Sequence, residues 1–324
     1  MSTGIRGYER LKPPRKDSCM KIAISGSTGL IGQRLVADLA AAGHQVISLV
    51  RHDPIGSDIL WRTEGPLDPA ALRGIQAIVH LAGEPIGGGR WTQAQKRRIL
   101  QSRVQGTTTI ATAMAKADKG PTVLISMSAI GLYGDRGDEI LSEKSDPGED
   151  FLAHVVQAWE AAADPARQAG VRVVHPRAGI VLDPNGGALQ KLLPLFKLGL
   201  GGRFGKGDQW WSWVSIDDVV GLIQWALLSE EAEGPYNVTA PEPVTNAEFT
   251  RHLARALGRP ALLPVPAFAP RLLLGELADA LLFNSQRVEP VAAMAQGYQF
   301  AFPDLPDALR QVLRPRTRAP TLPR

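Results

Sequence analysis

The sequence predicts an α/β protein in which helices cover both faces of a parallel sheet, and three features of the chain lead to that fold class. Short segments that are almost continuously apolar, as strands buried on both sides are, recur along the first half of the 324 residues. Segments with the apolar spacing of amphipathic helices separate them. Beyond about residue 185 the alternation gives way to a chain rich in proline and leucine. Alternating strands and helices are typical of a doubly wound sheet.

The individual elements follow from these patterns. Strands are predicted over residues 20–25, 44–51, 75–82, 122–127, 171–175 and 236–240. Helices are predicted over residues 30–42, 92–116, 150–169 and 216–228, and a further helix followed by a glycine-rich loop occupies residues 186–207. Gly43 is expected to end the first helix, and Ser215 or Asp217 is expected to cap the helix that begins at residue 216.

The segment Gly26-Ser27-Thr28-Gly29-Leu30-Ile31-Gly32 carries the sharpest functional signal in the sequence. It has the pattern GxxGxxG and joins the first predicted strand directly to the first predicted helix. Glycines in such a position form a tight turn, let the backbone approach a pyrophosphate and bring helix and strand close together. The helix N-terminus adds free N–H groups and the positive end of its dipole. The segment therefore predicts a dinucleotide site in a Rossmann-type fold.

The end of the second predicted strand indicates which dinucleotide is bound. NAD-binding units place an acidic residue about 20 residues beyond the glycines, where it binds the ribose 2′-hydroxyl. Arg51 occupies that place in this chain. Because a guanidinium attracts a 2′-phosphate and a carboxylate repels it, the sequence favours NADP(H) as the cofactor. Asp53 is the alternative reader of the ribose, in which case Arg51 is a solvated residue at a strand end.

Further cofactor contacts are expected from the loop Leu81-Ala82-Gly83-Glu84, which follows the strand over residues 75–82. At the carboxyl edge of a parallel sheet this loop runs beside the cofactor, and its small residues let the backbone come close. No metal site is expected, because His80, His154 and His175 have no cysteine or acidic residue at ligand spacing.

Composition and charge exclude several classes of protein. Hydrophobic residues make up 44% and charged residues 21% of the chain, as in ordinary globular proteins. No apolar run approaches the roughly 20 residues of a membrane span, so no membrane partner is expected. The net charge of +4 resides in the two ends, since residues 1–20 carry +3 and residues 310–324 carry +5. No nucleic-acid partner is therefore expected, because a nucleic-acid groove needs basic residues on the fold itself.

The chain is expected to divide into four parts and to reside in the cytoplasm. Cys19 is the single cysteine, so no intrachain disulfide is possible, and no signal peptide is recognisable. The four predicted parts are a disordered extension over residues 1–19, an NADP-binding Rossmann domain with substrate-side insertions over 20–240, a small, mainly helical C-terminal domain on the substrate side over 241–313, and a basic disordered tail over 314–324.

Several long motifs also carry a resemblance to a known family. They are VHLAGEPI, RW at 90–91, QSRVQGT, SAIGLYG, FLAHVVQAWE, RAGIVLDPNGGAL, GDQWWSWVSIDDV, YNVTAPEPVTNAEF and RP at 259–260. From residue 20 to residue 313 the chain resembles the YfcH-like epimerase-family proteins, which are atypical extended short-chain dehydrogenase/reductases with a C-terminal domain of unknown function. The resemblance implies a Rossmann fold that binds NADP(H), with the glycine loop, Arg51, Leu81, Ala82 and Arg103 in contact with the cofactor. It implies no particular substrate.

The usual catalytic relay of that superfamily has no counterpart in the sequence. The relay uses a Ser or Thr together with a Tyr and a Lys spaced YxxxK, in which the lysine lowers the pKa of the tyrosine. None of the four tyrosines has a lysine four residues later. Measured from Glu160, the Tyr and Lys positions fall on Leu152 and Val156. Measured from Tyr133-Gly134, the Ser/Thr position falls on Ala129, with Ser128 beside it. An apolar side chain cannot move a proton.

Substitutes for the relay are expected near the ends of the middle strands. Ser128 and Tyr133 are the first candidates for catalysis. Ser126, Glu84 and Glu143 are further candidates, and each of the five has an equally simple structural role open to it. The tryptophans at 210, 211 and 213 line a substrate pocket or pack between domains.

Two functions are compatible with these observations. The first is an oxidoreductase or nucleotide-sugar epimerase-like enzyme acting on a small polar substrate such as a nucleotide sugar. The second is a non-catalytic NADP(H)-binding regulator or redox sensor, for which the missing relay is the reason. The sequence leaves the oligomeric state open.

Overall fold

The computed structural model describes residues 19–314, and the extension and tail predicted at the two ends lie almost entirely outside the described residues. The strands are β1 (Lys21–Ser25), β2 (Gln45–Val50), β3 (Ile59–Leu60), β4 (Ala77–His80), β5 (Val123–Ser126), β6 (Ser128–Ala129), β7 (Ile140–Leu141), β8 (Arg172–Ala178), β9 (Ile180–Leu182), β10 (Trp210–Trp211), β11 (Trp213–Ser215), β12 (Gly234–Val238), β13 (Val244–Thr245) and β14 (Arg287–Val288).

The helices alternate with these strands in the first part of the chain and dominate its last part. They are α1 (Leu30–Ala41), α2 (Gln93–Lys116), α3 (Phe151–Ala161), α4 (Asp164–Gln168), α5 (Gly187–Lys197), α6 (Ile216–Leu228), α7 (Asn246–Leu257), α8 (Phe268–Leu274), α9 (Glu276–Ala278), α10 (Val291–Ala295) and α11 (Leu305–Val312). No helix within residues 19–314 is both long and apolar enough to cross a membrane.

The central sheet confirms the predicted Rossmann-type architecture. Its strands run in the order β3-β2-β1-β4-β5-β8-β12, every neighbouring pair is parallel, and the short β6 joins β8. The direction of winding reverses between β1 and β4. In open α/β sheets a ligand crevice forms outside the carboxyl ends of the strands at such a reversal. The fold therefore places the site beyond Ser25 and His80, the last residues of these two strands.

Two layers of helices cover the sheet, and the alternation within β1 shows how. Ile22 and Ile24 pack on one face with buried residues of α1, α3 and α6. Ala23 faces the other side, where buried residues of α2 and α4 cover it. Side chains of successive strand residues point to opposite faces, so an apolar run with no alternation is what a sheet covered on both sides requires.

The predicted helix over 150–169 is two helices in the structure, and the predicted strand over 171–175 extends to Ala178 as β8. Pro165 explains the first difference, because it lacks an N–H group and is tolerated only in the first turn of a helix. It stands in the first turn of α4. The two- and three-residue strands were not predicted, because a pattern of two residues has no recognisable period.

The segment beyond residue 240 is mainly helical, as predicted, and is tied to insertions in the Rossmann part by short strand pairs. β13 pairs with β10, and β14 pairs with β7. A separate apolar core, formed by residues of α5, α7, α11 and the tryptophan-rich β10 and β11, holds this region together. The predicted boundary between the domains stays a prediction.

Candidate functional site

The glycine loop after β1 forms a tight turn that leaves no room for side chains. Gly26 has φ +71°, and a Cβ atom there would lie 2.9 Å from the backbone N of Ala82. A Cβ atom on Gly32 would lie 2.1 Å from the carbonyl oxygen of Gly26. The N–H of Gly29 donates to that same carbonyl at 3.0 Å. These contacts fold the loop closely against both α1 and the segment after β4.

The first turn of α1 offers backbone donors that no side chain within residues 19–314 uses. Residues 19–314 contain seven helices of eight or more residues. Five of them, α2, α3, α6, α7 and α11, begin at a side-chain cap. The other two, α1 and α5, begin at a glycine with no side-chain cap. Because the first N–H groups of a helix have no partner within the helix, α1 presents a site for an anion.

The start of α5 lies against the start of α1. A Cβ atom on Gly186, which precedes α5, would lie 2.7 Å from Cδ1 of Leu30. Farther along α5, the Lys191 Nζ donates to the carbonyl oxygen of Gly87 at 2.5 Å, in the loop that follows β4. The two uncapped helix starts thus share one end of the crevice.

The loop after β4 lies beside the glycine loop, as its sequence position predicts. The N–H of Leu81 donates to the carbonyl oxygen of Ser25 at 3.1 Å. Leu81 and Ala82 are half-buried, and Gly83 is exposed. A Cβ atom on Gly83 would lie 3.3 Å from Cζ of Arg103, so the guanidinium lies directly beneath this loop.

Arg103 is buried between the loop and α3. Its Nη1 donates to the carbonyl oxygens of Glu84 at 3.0 Å and Ile99 at 3.1 Å. Its Cζ lies 4.9 Å from the ring centroid of Trp159, within cation–π range. Burial lowers the pKa of Arg103 to about 10, against the opposing attraction of Glu84. The guanidinium remains charged at neutral pH and supports the backbone of the loop.

Arg51 and Asp53 are both exposed just after β2. Leu49 of β2 pairs in register with Ser25 of β1. Arg51 follows Leu49 by two residues and the glycine loop begins directly after Ser25, so the two lie next to each other at the sheet edge. Asp53 has φ +47° and lies beside His52. The structure brings both candidates for the ribose to the same edge of the sheet.

His80 ends β4 in a fully buried position under the two loops. Its Nδ1 lies 2.5 Å from the Oγ of Ser25, and its ring meets Trp61 edge-on. Burial and the nearby charge of Arg103 lower the pKa of His80 to about 4. The imidazole is therefore neutral at physiological pH, and the floor of the crevice carries no positive charge from it.

A second group of polar side chains, which we call the Arg177 network, lies at the carboxyl ends of β5 and β8. Arg177 donates from Nε and Nη2 to the two carboxylate oxygens of Glu160, at 2.8 and 2.9 Å. Burial would raise the pKa of Glu160, but the hydrogen bonds and charge of Arg177 outweigh it and hold that pKa below its usual value. A paired, bidentate geometry of this kind is what a buried charge needs.

Ser128 and Tyr133 belong to this network. Ser128 Oγ donates to Glu160 at 2.6 Å, and Tyr133 OH donates to Oδ1 of Asn237 at 2.7 Å while accepting from Arg177 at 3.0 Å. Ser128 is 2% exposed and Tyr133 is fully buried. Burial raises the pKa of Tyr133, although Arg177 opposes this. Both hydroxyls are thus occupied by the protein itself, and their catalytic role stays a prediction.

The sequence comparisons place this arrangement in a family. The profile described as "NAD dependent epimerase/dehydratase family" matches residues 22–239, which is more than half of the chain. The chain belongs to this family. A second profile, a domain of unknown function (DUF1731), matches residues 265–312.

Relatives of this epimerase-family chain occur in bacteria and in humans. An epimerase family protein of Mycobacterium tuberculosis, MT2273, is 43% identical over 89% of the chain and 96% of the relative. The crystal structure of the human epimerase family protein SDR39U1 with NADPH is 34% identical, with a TM-score of 0.83 over 90% of this chain and 99% of that one. A nucleoside-diphosphate sugar epimerase from Corynebacterium glutamicum is 37% identical, with a TM-score of 0.77 over 91% of this chain and 58% of that one.

Of the remaining candidate side chains, Glu143 and Glu84 accept hydrogen bonds from the protein, whereas Ser126 has no partner among the described residues. Glu143 accepts through Oε1 from the backbone N–H groups of Asn237 and Ala292, at 3.0 and 3.2 Å. Glu84 accepts from Gln95 at 3.3 Å. Ser126 is fully buried, and its Oγ has no hydrogen-bond partner.

The tryptophan-rich segment favours the packing interpretation. Trp211 and Trp213 are buried in the C-terminal core. Trp210 is half-buried, lies under the guanidinium of Arg287 at 4.3 Å and donates to Asp138 at 2.8 Å. Within residues 19–314 no group of three or more His, Cys, Asp or Glu side chains is arranged to hold a metal ion.

Arg177 and Asn237 hold the network together, and neither was predicted from the sequence as a site residue. The predicted strand ended at residue 175, and only its extension to Ala178 places Arg177 inside the sheet, where it is 7% exposed. A charge in such a position requires a partner, and Glu160 on the adjacent helix is the partner that satisfies it.

Proposed function

We propose that the protein binds NADP(H) in the crevice between β1 and β4 and acts there as an oxidoreductase or nucleotide-sugar epimerase-like enzyme on a small polar substrate. Within the family we place it among the YfcH-like proteins, on the motifs quoted above. The observation that carries the proposal is the uncapped start of α1 behind a glycine loop whose backbone leaves no room for side chains. That combination is suited to a diphosphate.

The residues at this edge fit the cofactor chemically. The first-turn N–H groups of α1 have no side-chain partner among the described residues, and a Cβ atom on Gly29 would lie 3.2 Å from the carbonyl oxygen of Gly26, so the loop stays closed only without side chains. When bound, NADP(H) supplies hydride transfer. Leu81, Ala82 and Gly83 line the adjacent wall, and Arg103 holds that wall in place through its bond to the carbonyl oxygen of Glu84. NADPH in the human relative supports the same ligand here.

Arg51 is proposed to select the phosphorylated ribose. It is exposed beside the glycine loop, where its guanidinium is free to bind a 2′-phosphate. In Arg51→Asp we expect NADPH affinity, measured by fluorescence titration, to fall by on the order of a hundredfold, while NADH affinity changes little. An equal loss for both cofactors would show that Arg51 does not read the phosphate.

Arg73→Asp is the matched control. Arg73 is a similarly exposed arginine, but it precedes β4 and so lies at the opposite edge of the sheet. Its replacement is expected to leave both affinities unchanged. If the unmodified protein bound neither NADPH nor NADH, the whole proposal would fail.

We further propose that any chemistry proceeds without the usual Ser-Tyr-Lys relay. Leu152 and Val156, at the positions of the Tyr and Lys, are buried in α3, and Val156 packs in an apolar cluster. This supports the second candidate function, a non-catalytic NADP(H)-binding regulator or redox sensor. The closed hydrogen bonds of Ser128 and Tyr133 favour that candidate further.

A measurement of enzymatic turnover distinguishes the two candidate functions, an enzyme and a non-catalytic regulator. The protein is incubated with NADP+ or NADPH and a panel of carbonyl compounds and nucleotide sugars, and cofactor absorbance and sugar products are followed. Turnover that disappears in Ser128→Ala or Tyr133→Phe, with NADPH affinity retained, would identify an enzyme. Tight binding with no turnover across the panel would support the regulator.

A further inference from the structure

The described part of the chain leaves a group of large apolar side chains exposed near its C-terminal region, and we call this group the leucine patch. Each member is between 64% and 87% exposed. The members are Leu198, Leu200, Leu262, Leu263, Phe268, Leu272 and Leu273. Single exposed apolar residues are normal in proteins, whereas a contiguous group of this size marks a contact surface.

The members come from three segments that lie side by side. Residues 199–205 run along residues 260–267, where the N–H of Val265 donates to the carbonyl oxygen of Arg203 at 2.8 Å and the N–H of Gly205 donates to that of Val265 at 2.9 Å. Helix α8 continues directly from the second segment and carries the phenylalanine and the last two leucines. The patch is therefore one surface rather than scattered side chains.

The two stretches of chain that carry the leucine patch bear positive charge only, and the nearest acidic residues after them are Asp208 and Glu276. Residues 184–207 and 249–275 contain no aspartate or glutamate. Lys197, Arg203, Lys206 and Arg259 in these segments are exposed and form no ion pair with another described residue. Arg271 is different, because it is paired with Asp279 at 2.8 Å. The surface thus combines protruding leucines with uncompensated positive charge.

The positive charge of these basic side chains limits which partner can bind the leucine patch. The ends of the chain outside the described residues are themselves basic, so they do not complement the patch. A second copy of the same patch would bring like charges together. The leucines stand out from the surface, whereas a groove for a peptide holds its apolar side chains half-buried. Protruding apolar residues ringed by lysine and arginine match the interface of an anionic bilayer.

We propose that the leucine patch docks the protein on an anionic lipid surface. The leucines and the phenylalanine enter the headgroup boundary, and the four unpaired basic side chains contact lipid phosphates. The sequence predicted no membrane partner because it contains no apolar run long enough to span a bilayer. That criterion does not detect a surface assembled from three segments. The protein lies on the bilayer and does not cross it.

Co-sedimentation with lipid vesicles tests the proposal on the full-length protein. We expect binding to phosphatidylglycerol vesicles, little binding to phosphatidylcholine vesicles and a decrease with added salt. In the triple variant Leu262→Gln/Leu263→Gln/Leu272→Gln, binding should weaken at least about tenfold. Ile55→Gln, at a residue 79% exposed in the loop after β2, is the control and should bind as the unmodified protein does.

Three outcomes would overturn the proposal. Equal vesicle binding by the triple variant and the unmodified protein would assign the binding to the basic ends of the chain. No binding to either vesicle would exclude a lipid surface as the occupant. A solution dimer that the triple variant loses, with no vesicle binding, would make the patch a contact between copies. Because the replaced residues are exposed, the variant is expected to keep its melting temperature and its NADPH affinity.

Discussion

The glycine loop after β1 and the Arg177 network after β5 and β8 lie at the same edge of one sheet, yet they are built in opposite ways. The loop is made of backbone, and the first-turn N–H groups of α1 have no side-chain partner in the described part of the chain. In the network the Glu160 carboxylate and the Ser128 and Tyr133 hydroxyls are all bonded to other side chains. An open set of donors is ready for a ligand, whereas a closed set holds the fold together. The difference indicates that binding and scaffold functions are separated along this edge.

Arg177→Ala is the variant for which we expect the largest loss of stability. It leaves Glu160 buried without its partner, and we expect the free energy of unfolding to fall by about 3–5 kcal/mol in chemical denaturation. Arg310→Ala is the control, since its pair with Asp307 is exposed. The control should cost less than about 1 kcal/mol. A similar small loss for both variants would mean that the network is not a scaffold.

The two regions should lose stability at different pH values as the solution is acidified, because their buried titratable groups have different pKa values. His80 has a pKa of about 4 in the folded protein, below the roughly 6.5 of an unfolded histidine, so the unfolded chain takes up the proton first. The free energy of unfolding should therefore fall by about 3 kcal/mol as pH decreases from about 6.5 to 4. Glu160, whose pKa is lowered, contributes stability that is lost only below the ordinary glutamate range.

His80→Asn provides the control for this pH dependence. Asparagine keeps a polar partner for Ser25 and does not titrate. Denaturation curves measured across this pH range should be flatter for the variant than for the unmodified protein. An identical slope in the two proteins would show that His80 is not the group responsible.

Gly32→Ala tests whether the backbone of the glycine loop binds the cofactor. The added Cβ would lie 2.1 Å from the carbonyl oxygen of Gly26, so the loop must shift away from α1. We expect NADPH affinity to fall by about a hundredfold, or about 2.8 kcal/mol, in a fluorescence titration. Gly65→Ala is the control, because the nearest atom to its Cβ lies at 3.7 Å. Unchanged affinity in Gly32→Ala would separate the loop from the ligand.

The smallest effect is expected for Tyr133→Phe. Removing the hydroxyl leaves Asn237 and Arg177 each without one hydrogen bond, at a cost of about 1–2 kcal/mol in the free energy of unfolding. Tyr236→Phe should cost less, because its partner Gln296 is exposed and can bond to water instead. If Tyr133→Phe left stability unchanged but abolished turnover, Tyr133 would belong to the chemistry and the separation drawn above would be wrong.

The sequence predicted the glycine loop better than the Arg177 network. The reason is the number of residues that separate interacting partners along the chain. The glycine motif acts through backbone geometry within seven residues, so its role is visible locally. Tyr133, in contrast, depends on Arg177 and Asn237, which lie 44 and 104 residues away. The sequence located Ser128 and Tyr133 but could not supply the partners that occupy their hydroxyls. Their catalytic role, like the cofactor contacts of Arg51 and Arg103, stays a prediction.

The absence of a side chain at Gly186 has a consequence for how the two helix starts tolerate mutation. Since Gly186 has no Cβ atom, the start of α5 rests directly on the side chain of Leu30, the first residue of α1. An alanine at position 186 would place its Cβ atom 2.7 Å from Cδ1 of Leu30, so the flexible leucine side chain would have to move first. The effects of substitutions at positions 186 and 30 are therefore expected to depend on each other.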